Sequence, residues 1–94
     1  MLAVTDRAVS TIRMLTDPPN IPDGTGLRIT AETAGGALTA TLQPGPIEGD
    51  QVLAYEDALV FLDPEAAMLL DDKTMDVDVG VDGQVQFIMA DRLD

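Results

Sequence analysis

The chain has 94 residues, 46% of them hydrophobic, and its 17 acidic against 5 basic side chains give a formal net charge of −12. Cysteine, histidine and tryptophan are absent, which excludes disulfides, thiolate or imidazole metal sites and the usual nucleophilic triads from these residues. The negative charge repels phosphate backbones and anionic lipid, and aromatic residues at 3% provide few platforms for unpaired bases, so neither nucleic acid nor a membrane surface is an expected partner.

In chain order, Ala8, Val9, Ile12 and Leu15 recur at three- and four-residue spacing, which predicts an amphipathic helix over 5–16 with Thr5 as N-cap and Asp6 in its first turn. Asp17-Pro18-Pro19 ends it, because proline lacks the amide donor and drives the preceding residue out of the helical region. Leu27, Ile29 and Ala31 then alternate with Arg28, Thr30 and Glu32, the period of a strand with one buried face. Gly35-Gly36 breaks this strand, and a second extended segment runs over 37–42 until Pro44-Gly45-Pro46 and the Glu48-Gly49-Asp50 corner.

Two more short strands are expected over 52–55 and 59–62, separated by the polar corner Glu56-Asp57. Asp63-Pro64-Glu65 supplies an N-cap, a proline at the first helical position and an acid in the first turn, leading into a short helix over 66–70. Met75, Val77, Val79 and Val81 share one face of a strand over 75–81. Asp82-Gly83 reads as the central pair of a two-residue type I′ turn, with Val85, Phe87 and Met89 returning on the partner strand. The expected order is helix, four strands, helix, hairpin.

Length and the absence of a linker or repeat point to one domain, 1–94, with an apolar fraction ordinary for a folded protein. No run of about 18 apolar residues occurs, and the first six residues lack the basic region and apolar core of a signal peptide, so a cytoplasmic location is expected. Residues 1–47 hold four acids and three bases, whereas residues 48–94 hold thirteen acids and two bases, or −1 against −11. An electrostatic partner should meet the second half.

Little in these residues points to catalysis. The sole serine, Ser10, falls inside the first helix, and Gly24, Gly26, Gly35 and Gly36 lead into strands instead of opening a phosphate-binding helix. The run Asp76-x-Asp78-x-Gly80-x-Asp82-Gly83 resembles a calcium loop in outline, but the bidentate acid such a loop needs further on is replaced by Phe87 or Ile88. The intervening valines are what a strand with one wet face requires, so Asp76, Asp78 and Asp82 read as a solvated strand face before they read as ligands. Adjacent acids at Asp71-Asp72 and Glu56-Asp57 could in principle shift one another's pKa for acid–base work, yet only Tyr55, Phe61 and Phe87 are available to wall off a dry pocket. No enzymatic activity is expected.

Gly26-Leu27-Arg28-Ile29 followed by Thr33-Ala34-Gly35-Gly36 resembles the signatures of the HesB/IscA family, the A-type iron-sulfur carriers that share the Fe-S biosynthesis domain. The resemblance spans most of the chain and continues through Gly49-Asp50, Glu56-Asp57, Val60-Phe61-Leu62-Asp63-Pro64, the link from Leu70 to Asp76, and Val85-Gln86-Phe87. It implies a single α+β domain of curved mixed β-sheets, a sandwich or partial barrel, with an N-terminal helix and one short second helix. Carriers of the family, commonly dimers, hold iron or a cluster through three cysteines and pass it to apo-proteins. The alignment puts the first of these cysteines at Gly36, and the family's Cys-Gly-Cys tail would follow Asp94. Clusters select thiolates, for which carboxylates are poor substitutes, so no cofactor is expected.

Three readings of function follow. The first is an accessory or regulatory protein of iron-sulfur cluster assembly that keeps the fold without the ligands and contacts assembly or client iron-sulfur proteins. The second is an acidic protein-interaction module unrelated to that chemistry. The third, ranked last, is hard-cation binding through Asp76, Asp78 and Asp82 or through carboxylates near the glycine turn. Monomer and homodimer are both compatible with the sequence.

Overall fold

A computed structural model describes residues 2–31, 38–56 and 58–91. In chain order the elements are β1 (Ala3–Val4), α1 (Asp6–Thr16), β2 (Gly26–Ala31), β3 (Leu38–Gln43), β4 (Gln51–Tyr55), β5 (Ala58–Leu62), α2 (Pro64–Leu69), β6 (Lys73–Val79) and β7 (Val85–Asp91). The strands form two sheets, β1-β6-β7 and β3-β2-β5-β4. Each sheet is mixed, because β1 runs parallel to β6 and β2 parallel to β5 while the other pairs are antiparallel. α1 packs against both sheets and α2 against β2 and β5, which makes this the α+β architecture expected from the sequence.

α1 forms as its spacing predicts. The Thr5 hydroxyl accepts from the Ala8 amide at 3.2 Å, and Ala8, Val9 and Ile12 are buried. The Thr11 hydroxyl, also on the buried side, donates back to the Arg7 carbonyl at 2.9 Å, so no polar group is left unpaired there. The alternation in β2 puts Leu27 and Ile29 in the core. They meet Leu53 of β4, Val60 and Leu62 of β5, Ala66 and Leu70 around α2, and Met75 of β6.

β3 pairs with β2 from Gly26↔Gln43 to Ala31↔Leu38. The predicted Gly35-Gly36 turn between them lies outside the described residues, as does Asp57. β3 ends beside Gly26, whereas β4 begins opposite Leu62 at the other end of the sheet. The segment 44–50 therefore has to run the length of the sheet, and it crosses on the face away from α1, where Arg28 meets Asp50.

Three features differ from the expectation. β1 was not anticipated, since two residues are too few for a period-2 pattern and their partner, 74–75, lies far along the chain. α2 spans Pro64–Leu69, with Asp63 as N-cap and Pro64 in the first turn as read from the sequence, and it ends one residue early because Leu70 is its C-cap. The hairpin turn is also longer than two residues. β6 stops at Val79, paired with Val85; the Gly80 amide donates to the Gln84 carbonyl at 2.8 Å and the Gly83 amide to the Gly80 carbonyl at 2.9 Å. Gly83 takes a positive φ of 82° but Asp82 does not, which rules out type I′, where both central residues must be left-handed. Asp82 instead accepts from the Gln84 amide at 3.1 Å.

The hairpin also outruns the core. Met75 and Val77 are buried, but Val79 and Val81, placed on the same face by the alternation, are exposed; among the described residues no element packs over that end of the strand.

Candidate functional site

Of the residues singled out by sequence, the structure places Asp76, Asp78 and Asp82. Gly36, at the first ligand position of the resemblance, lies outside the described residues. Asp76 sits on the outer face of β6, next to the start of α1. Its Oδ2 accepts from Arg7 Nη2 at 2.7 Å, and its Oδ1 accepts from Arg7 Nε at 3.3 Å, the Thr5 hydroxyl at 2.8 Å and the Val77 amide at 2.8 Å. Hydrogen bonding to Arg7, helped by Thr5 and the Val77 amide, holds its carboxyl well below the usual carboxylate range. Asp76 is thus committed to fastening α1 to β6.

Asp78 and Asp82 come together at the hairpin tip, where with Gly80, Gln84, Val85 and Gln86 they line a shallow cleft of about 270 Å³. Asp76 does not join them. Among the described residues no group of three His, Cys, Asp or Glu side chains is placed to hold a metal ion. The calcium-like spacing is therefore laid out along a strand and its turn, with Asp76 held by Arg7 and Thr5 and only Asp78 and Asp82 lining the cleft.

A second cleft, of about 430 Å³, opens between the C-terminal half of α1 and the 22–25 loop, with Ser10, Arg13, Asp17, Asp23 and Thr25 among its lining residues. Ser10 and the carboxylates of Asp17 and Asp23 share this lining, and Arg13 reaches across to Glu56 at 3.1 Å.

The most developed polar feature was not anticipated. Arg28 and Asp50 form a bidentate pair, Nε to Oδ2 and Nη2 to Oδ1, both at 2.9 Å. Their side chains are 15% and 1% exposed, and Oδ2 also accepts from the Ile47 amide at 2.9 Å. Arg28 holds Asp50 below the ordinary carboxylate range and overcomes the upward push of burial. Alternation did place Arg28 on the face away from the core, and Gly49-Asp50 was read as a corner, but no spacing rule joins positions 28 and 50. Arg7, Arg13, Arg28 and Lys73, the four cations among the described residues, all have carboxylate partners: Asp76, Glu56, Asp50 and Asp91.

No family model and no curated protein matches this sequence. Solved structures do match it. SufA of Escherichia coli, involved in biosynthesis of iron-sulfur clusters, superposes with a TM-score of 0.79 at 20% identity, covering 96% of this chain and 84% of SufA. IscA with its 2Fe–2S cluster superposes at 0.69 with 19% identity, over 97% of this chain and 82% of IscA. A protein from Aquifex aeolicus solved in solution by NMR superposes at 0.75 with 26% identity, over 97% and 91%. In fold, the chain is HesB/IscA-like, and the likeness read from its motifs holds over nearly its whole length.

The donors do not follow the fold. A cluster of the kind held by IscA needs soft ligands, and these 94 residues contain no cysteine and no histidine. The acids among the described residues are dispersed or already paired. The residues present do not fit an iron-sulfur cluster.

Proposed function

We propose that this chain is a non-catalytic HesB/IscA-like protein, an accessory or regulatory factor of iron-sulfur cluster assembly that acts through protein contacts without ligating a cluster itself. The observation that supports this reading is the combination of a fold match to SufA over 96% of the chain with a sequence lacking every thiol and imidazole. A surface for assembly or client proteins can outlast the ligands, because docking and metal binding use different atoms. Affinity capture from the native cell tests the assembly link: recovery of assembly or client iron-sulfur proteins is expected, and their absence would leave only the fold.

A second reading, an acidic interaction module unrelated to iron-sulfur chemistry, is favoured by the −11 charge of residues 48–94. Docking of that kind weakens steeply with salt. Partner binding that is unchanged between low and physiological ionic strength would remove it.

A further inference from the structure

Between Arg28 and Lys73 the sequence carries nine acids and no lysine or arginine. α2 lies in this stretch and is firmly held: Asp63 Oδ1 accepts from the Ala66 amide at 2.7 Å, the Asp63 amide donates to the Ile29 carbonyl at 3.2 Å, and Ala66 and Leu70 are buried. Its opposite side shows Met68 at 80% and Leu69 at 50% exposure. Glu65, three and four residues earlier, lies beside them on the helix surface, and Asp72 follows just past the helix end; both acids are exposed.

The fold does not account for this apolar pair. The exposed valines of the hairpin at least favour an extended backbone, whereas glutamate or lysine would suit a helix as well as Met68 or Leu69 while leaving no apolar surface in water. Methionine is a side chain that adapts its shape to a partner. Among the described cations only Lys73 borders this rim, its Nζ 3.5 Å from Asp72 and closer still to Asp91; Glu65 enters none of the described ion pairs, so a partner's cation can meet Glu65 and the largely exposed Asp72.

We propose that this face of α2 docks a cationic amphipathic segment of a partner protein, which seats an apolar side chain on Met68 and Leu69 and sets lysine or arginine against Glu65 and Asp72. The proposal rests on the reading of the chain as a protein that acts through protein contacts, and it names the surface and the chemistry of the partner. A second copy of this chain is a poor occupant, since it would bring the same acidic rim and a further charge of −12.

The test titrates the isotope-labelled chain at low salt with an amphipathic leucine–lysine peptide and with its leucine–glutamate counterpart. Saturable amide shifts centred on residues 63–72 are expected with the cationic peptide and none with the acidic one. The double substitution Met68→Ser/Leu69→Ser should weaken binding by about tenfold with an unchanged thermal melt, because both side chains are exposed. Asp78→Asn/Asp82→Asn, which removes charge at the hairpin tip, should weaken it less. Shifts centred on the hairpin, equal weakening by both double substitutions, or no saturable binding would overturn the proposal. The wider role fails separately: capture of iron-sulfur proteins that is undiminished by Met68→Ser/Leu69→Ser overturns this surface and leaves the role, whereas peptide binding on α2 with no such capture supports the surface and overturns the role.

Discussion

Arg28 projects from the outer face of β2 and Asp50 stands at the entrance to β4, and the pair they form fastens the crossing segment 44–50 to the sheet. Because Arg28 depresses the Asp50 pKa, folding gains stability from this carboxylate above its unfolded pKa of about 4 and loses it as the pH falls through the lower folded value. Asp50→Asn should therefore lower the denaturation midpoint at neutral pH and flatten the loss of stability below about pH 4. Parallel acid titrations that superpose for the two proteins would contradict this. Gly26 offers a second test at the same scale. A Cβ there would stand 2.7 Å from the Leu59 carbonyl oxygen and 2.9 Å from a ring carbon of the buried Phe61. Gly26→Ala should cost about 1–3 kcal/mol in urea denaturation, and an unchanged midpoint would show that the strand yields more easily than its packing indicates.

At the scale of elements, Thr5 links α1 to the hairpin sheet. Its hydroxyl accepts from the Ala8 amide and donates to Asp76, while its own amide donates to the Met75 carbonyl at 3.0 Å. Thr5→Ala removes the cap and one hydrogen bond of Asp76, with an expected loss of about 1–2 kcal/mol, whereas Thr5→Ser keeps both and should recover most of it. Equal loss from the two substitutions, read by denaturant unfolding, would argue that the methyl group matters more than the hydroxyl. Features of this kind were legible in the sequence because they are local: the caps at Thr5 and Asp63, the stop at Asp17-Pro18 and the alternation of β2 each lie within a few residues. What was not legible depends on pairing across the chain. β1 finds β6 some 71 residues away, Arg28 finds Asp50 across a crossover, and neither pairing leaves a periodic trace. The hairpin was misjudged for a different reason, since Asp-Gly serves more than one turn and local sequence does not say how far a core extends beneath Val79.

For the whole molecule the dominant physical fact is a charge of −12 spread over 94 residues, with the described cations already paired. Self-repulsion at this density opposes the compact state, and it is screened over a Debye length of about 10 Å at 0.1 M salt. The melting temperature should rise by several degrees between very low and physiological ionic strength; a fall would mean that the ion pairs of Arg28 and Arg7 outweigh the repulsion. The candidate site was legible only in part at this scale. The motifs pointed to the HesB/IscA-like fold, and the composition showed that thiol ligands are missing, but the exposed face of α2 became visible only when the helix was seen resting on Ala66 and Leu70.

The central claim is that the fold shared with SufA and IscA is built here from 94 residues that include no cysteine and no histidine. Iron and acid-labile sulfide content, with the visible absorption spectrum, should be measured after anaerobic reconstitution of the purified chain. The account predicts neither iron nor sulfide in stoichiometric amount and no cluster absorption; a stoichiometric cluster in the unmodified protein would contradict it and show that ligands other than thiolates support carriage.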